Sequence, residues 1–305
     1  MKEDKAKDIA FNVSLWFCPL SQPRMKINLI RLAQRPVPVR LGYFIAALLL
    51  IWLPFAVPIY LLVSDSNLVS ILTMVILYAE FIFLLKVWGK NVYQQPQILK
   101  QYGWEITQIN AVDLLGGLAT GMISILVVFG LQGFLGWLVW QQSQVFLPRI
   151  IVEGLIVSLG VGFAEELLFR GWLLDELERD YSLSAALWIN VVAFAVLHFI
   201  KPLEAIIQTL PQFPALVLLG VTLVWAKRWR RGRLGLPMGL HGGLVWGYYI
   251  INVGGLIEYS GQVPDWITGV NQNPLQGVMG VGFMGILALW MRWLTVKNGS
   301  YRHPI

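Results

Sequence analysis

Two adjacent carboxylates, Glu165 and Glu166, and the guanidinium of Arg170 sit in the run Val161-Gly-Phe-Ala-Glu-Glu-Leu-Leu-Phe-Arg-Gly171, which is otherwise apolar enough to cross a bilayer. Charge at that depth costs roughly 2.5–3.5 kcal/mol per residue on insertion scales, so such residues are functional candidates. On a helix Glu166 and Arg170 share a face at four-residue spacing and can pair. Paired buried charge is far cheaper than lone charge. Glu165 is turned about 100° away and is left free to act. A desolvated carboxylate of that kind suits general-base chemistry near neutral pH. Taken alone, the triplet would also serve as a structural ion cluster.

Two partners lie downstream. His198 ends Phe194-Ala-Val-Leu-His198, where Phe194 at four-residue spacing can buttress the imidazole. His241 sits in Gly239-Leu-His-Gly-Gly243, where glycines leave room around the ring. The remaining histidine, His303, is in the tail. Both inner histidines fall in apolar segments close to the acidic one, which points to a shared site in a wet cavity within the membrane. A carboxylate with two imidazoles is also a zinc-ligand set. A divalent metal such as zinc on Glu165, His198 and His241 and a metal-free, glutamate-activated water therefore both remain open. No His-Glu-x-x-His zincin motif, Gly-x-Ser-x-Gly elbow or P-loop is present.

The elements that must position these residues are membrane spans. The chain is 57% hydrophobic and 13% charged, with a mean hydropathy of +0.64. These values predict an all-α, polytopic transmembrane bundle. About 20 apolar residues cross the hydrocarbon core, which gives about eight spans: Leu41–Val63, Leu68–Trp88, Val112–Trp140, Ile150–Leu174, Ser184–Ile200, Ala215–Trp229, Leu236–Leu256 and Gly277–Val296. Residues 1–40 read as a cytoplasmic leader without a cleaved signal, 41–296 as the transmembrane domain and 297–305 as the tail. The net charge of +6 comes from Lys and Arg between spans, including the cluster Lys227 to Arg233. These residues read as topology signals that place both termini in the cytoplasm, and nucleic-acid binding is not expected. Cys18 is the single cysteine, so there is no intrachain disulfide. Gly154, Ser158 and Gly162, and again Gly239, Gly243 and Gly247, recur every four residues. Such spacing lets helices approach closely in lipid, here the fourth and seventh spans.

At these positions the chain resembles the CPBP family, the CAAX-protease and bacteriocin-processing group of intramembrane proteases, which includes the type II CAAX prenyl endopeptidases. The family signature is Glu-Glu-x-x-x-Arg, then Phe-x-x-x-His, then His-x-x-x-Asn or Asp. Here Glu165-Glu166-Leu-Leu-Phe-Arg170 and Phe194-Ala-Val-Leu-His198 match the first two. In the third, His241 is present but position 245 is Val. The resemblance covers about residues 148–256. It implies that Glu165 activates a water, His198 positions it and His241 faces the developing oxyanion. Glu166, Arg170 and Phe194 would organise the site. Val245 cannot donate the hydrogen bond that the family pattern supplies there.

The expectation is an intramembrane endopeptidase acting on a membrane-associated, prenylated or otherwise tethered, peptide or protein. Membrane lipid is its other partner. It would reside in a bacterial cytoplasmic membrane or an organelle membrane of bacterial descent. Two other readings stand beside it. One is a non-catalytic scaffold or bacteriocin-immunity protein that keeps the fold, favoured by Val245. The other is a small transporter using Glu165 and His198 as a proton relay. For the shared site to form, the span ending at His198 must be short, tilted or begin deep in the bilayer.

Overall fold

Long apolar runs, punctuated by Pro, Gly and short polar turns, fold as helices almost throughout the computed structural model, which describes residues 29–297. The leader before residue 29, with Cys18, and the tail from 298 on, with His303, lie outside the described residues. After a short 3₁₀ turn, Leu29–Gln34, come α1 (Val37–Leu62) and α2 (Ser66–Asn91). A short α3 (Ile98–Gln101) leads to α4 (Gln108–Phe134). Then follow β1 (Leu138–Trp140) and α5 (Leu147–Glu166), continued by a π-helical segment, Leu167–Leu173, into α6 (Leu174–Asp180). The rest is α7 (Leu183–Leu197), α8 (Leu203–Thr209), α9 (Phe213–Trp229), α10 (Gly235–Val253), β2 (Ile257–Tyr259), α11 (Asp265–Thr268) and α12 (Val278–Lys297).

Six helical stretches among the described residues are long and apolar enough to cross a membrane, and the chain is an integral membrane protein. Two of the eight expected spans are not among the six. The first, α7, has only 15 residues. The second, α10, has 19, and its glycines, tyrosines and His241 dilute its hydropathy. It is also largely enclosed, packed on one side against α4 and on the other against α5, so little of it is left to face lipid.

Three other expectations are corrected. The third span stops at Phe134; Gly136, at φ 75°, turns the chain, and Leu138–Trp140 pairs antiparallel with Ile257–Tyr259. The stretch between the expected fourth and fifth spans, 175–183, is mostly helix, because α5, the π segment and α6 run on to Asp180. The two stripes of small residues do not face each other alone. Gly162 and Ser158 meet α10 at Met238 and Gly242, but Gly239 and Gly243 lie against the α4 backbone. A Cβ on Gly239 would sit 2.0 Å from the Leu114 carbonyl oxygen, and one on Gly117 of α4 would sit 2.4 Å from that of Leu236. Helix α10 is thus wedged between two helices at backbone contact.

The basic residues also do more than signal topology. Lys227 of α9 donates to Asp175 of α6, with side chains 1% and 6% exposed. Arg228 pairs with Glu178, and Arg40 of α1 with Glu176 and Asp180. Arg230 and Arg233 both reach Asp113 at the start of α4. Tyr93 donates to Glu176, and burial beside that carboxylate holds its phenol above the ordinary range. One end of the bundle is therefore tied by a layer of paired charge. Lone buried charges there would be strongly destabilising, and pairing offsets part of that penalty.

Candidate active site

The hairpin of α5–α6 and α7 decides where the first two residues meet. The helices are joined by Tyr181 and Ser182, and Ser182 caps α7 by accepting from the Ala185 N–H. Glu165 lies as far before Asp180 as His198 lies after Leu183, so antiparallel helices bring them to one level. The shortness required of the histidine span is met by α7, whose C-cap is His198. His241, two turns into α10, arrives at the same level because α10 begins deep in the bundle. Leu234 packs there against Gly171, and its N–H donates to the Gly103 carbonyl.

Glu165, His198 and His241 line one cavity of about 260 Å³, with Val245 and an otherwise mainly apolar wall from α4, α9 and α12. His198 Nδ1 is 2.8 Å from the Phe194 carbonyl oxygen. A carbonyl only accepts, so Nδ1 carries a proton and Nε2 faces the cavity. Nε2 stands 3.9 Å from Glu165 Oε2, beyond a direct hydrogen bond. These two side chains are 29% and 31% exposed, the accessible part of the site.

Behind them lies a closed network. Glu166 is fully buried, and its Oε1 accepts from Arg170 Nη1 at 3.1 Å and His241 Nδ1 at 2.9 Å. The expected Glu166–Arg170 pair is therefore formed, and it extends to the second histidine. Arg170, also fully buried, stacks its guanidinium 4.2 Å over the Phe194 ring. That ring in turn meets His198 edge-on at 4.6 Å. Phe194 thus holds the imidazole on one side and the arginine on the other.

The π segment explains two residues that sequence reasoning passed over. A π turn leaves carbonyls poorly placed for the usual helical partners. The Asn190 side chain donates to the Phe169 carbonyl at 2.7 Å, and Lys227 Nζ to that of Arg170 at 2.6 Å. Asn190 lies four residues before Phe194 on the same face of α7, a polar residue in an apolar run, and that was the signal available.

Among the described residues, no three His, Cys, Asp or Glu side chains are grouped to hold a metal ion. His241 is turned onto Glu166 through Nδ1, which ties it to the network behind Glu165.

Compared with known families, residues 146–247 match the model described as Type II CAAX prenyl endopeptidase Rce1-like. The match runs from the start of α5 into α10 and includes every candidate residue above as well as Val245. No curated protein and no solved structure matches the chain.

Proposed function

From an Rce1-like region at residues 146–247, we propose that the chain is an intramembrane endopeptidase in which Glu165 activates a water against a peptide bond. The substrate is a membrane-associated peptide or protein, prenylated substrates included. The observation that carries this reading is the meeting of Glu165 and His198 from two helices, 3.9 Å apart, in a cavity that His241 also enters.

Glu165 and the His198 Nε2 lone pair are both acceptors, so a water between them gives one hydrogen to each. Glu165 takes its proton as the water oxygen bonds to the carbonyl carbon, and the carbonyl π pair moves onto oxygen. His241, anchored through Nδ1 on Glu166, faces that oxyanion. The carbonyl re-forms as the C–N bond breaks, and the proton on Glu165 passes to the leaving amine. Arg170 balances Glu166, and Phe194 fixes the His198 ring. No step uses a metal.

One observation favours the non-catalytic scaffold: Val245 lines the cavity one turn beyond His241 and offers no donor. Purified protein in detergent, given prenylated and unprenylated peptide libraries, separates the readings. Cleavage that disappears in Glu165→Ala supports the endopeptidase. No cleavage from either library, or cleavage unchanged in Glu165→Ala, supports the scaffold. A parallel reaction with chelator reads metal dependence directly, and the proposal expects cleavage to persist.

A further inference from the structure

A second hollow lies on the far side of α9 from Glu165. Leu216 and Leu219 of α9 face the cavity with Glu165, whereas Val217, Val221 and Trp225 line a separate groove of about 910 Å³. Helices α7 and α12 both pack on α9 and supply its walls. Along α12 the lining is Gly285, Ala288 and Leu289, then Arg292 and Thr295. The groove is thus apolar along its length and basic at one end, where α9 and α12 finish and α7 begins.

Two arginines lie at that end. Arg228 is 6% exposed. Its Nη2 is taken by Glu178 and the Leu183 carbonyl, but its Nε–H is buried with no hydrogen-bond partner among the described residues. Arg292 is exposed on α12, and no described acidic side chain forms a salt bridge with it. Glu178 compensates Arg228, so at this end Arg292 is without a counter-charge among the described residues. Trp188 and Trp225 line the same hollow, and Trp290 and Trp293 are exposed beside Arg292. Tryptophans of this kind sit at headgroup level, and arginines near helix ends reach for it.

We infer that this groove binds an anionic phospholipid. One acyl chain lies along Val217, Val221 and Leu289, and the phosphate sits at Arg292. A guanidinium pairs with phosphate through charge-assisted hydrogen bonds, and acyl chain and phosphate together match the two ends of the groove. A zwitterionic lipid brings its own cation and leaves Arg292 uncompensated.

The test uses the full chain in nanodiscs of phosphatidylcholine and phosphatidylglycerol in equal amounts. The protein is transferred to detergent, and retained lipid is read by native mass spectrometry. Phosphatidylglycerol is expected to remain bound in preference to phosphatidylcholine. Arg292→Gln should lower its retention about tenfold, and Arg292→Lys should keep most of it. A Cβ on Gly285 meets nothing within 4 Å, so Gly285→Phe starts its side chain in open space at the groove wall and should remove the bound lipid. Equal retention of the two lipids overturns the inference. So does retention unaffected by either Arg292→Gln or Gly285→Phe. A disulfide-linked dimer formed efficiently through Leu289→Cys would also overturn it, making the groove a contact between protein copies.

Discussion

The two neighbouring glutamates stand in different environments. Glu165 and Glu166 are identical in type and adjacent, yet one is partly open to a cavity and the other is fully buried between Arg170 and His241. The proposed mechanism therefore expects different outcomes from the same change. Glu165→Gln should lower kcat by about 10²–10⁴-fold, the contribution of a general base, with little change in thermal stability. Glu166→Gln should lower activity and melting temperature together, because it leaves Arg170 buried without its counter-charge. Parallel kinetics and thermal scans of both variants check this, and an equal stability loss in the two would contradict it. Val245→Asn places a donor one turn beyond His241 and should raise kcat by about tenfold or more, up to the roughly 10²–10³-fold that one oxyanion donor supplies. An unchanged or lower rate would mean that this wall of the cavity does not face the oxyanion.

At the scale of elements, the site depends on helix contacts rather than loops. Gly239 and Gly117 let α10 and α4 touch backbone to backbone, which sets the depth of His241. Gly239→Leu should destabilise the protein by about 1–3 kcal/mol or more, the usual cost of overpacking, and release His241 from its level. Gly116→Ala, where a Cβ meets nothing within 4 Å, should be silent in the same thermal-shift measurement. The π segment is a second such element. Its irregular carbonyls are matched by Asn190 and Lys227, so the turn that carries Arg170 is held from α7 and α9.

Across the whole molecule, buried ion pairs hold one end of the bundle. The layer formed by Arg40, Asp113, Asp175, Glu176, Lys227 and Arg228 ties α1, α4, α6, α9 and the approach to α10 together. Asp175→Ala should cost about 3–5 kcal/mol by stranding Lys227. The double change Asp175→Leu, Lys227→Met removes both charges and should recover much of that loss. Denaturation in detergent reads both. A double variant no better than Asp175→Ala would show that Lys227 matters chiefly through the Arg170 carbonyl it also binds.

Composition and the spacing of a few polar residues were enough to read a membrane helix bundle, the Glu166–Arg170 pair, the Phe194 support of His198 and the candidates Glu165, His198 and His241. These are local facts: hydropathy follows from residue type, and four-residue spacing determines which side chains share a helix face. Tertiary packing decided what local rules cannot reach. The helices around His198 and His241 fail the length or hydropathy of an ordinary span because α7 is short and α10 is sheathed by its neighbours. Four-residue glycine spacing does not name the helix it meets, so the partnership of Gly239 with α4 was invisible. Basic residues near span ends look alike in sequence whether they signal topology or lie in buried ion pairs, and only the partner across the bundle tells Lys227 from Arg292. The meeting of Glu165 and His198 belongs to the fold as well, because it rests on two helices leaving one tight turn with equal numbers of residues to the cavity.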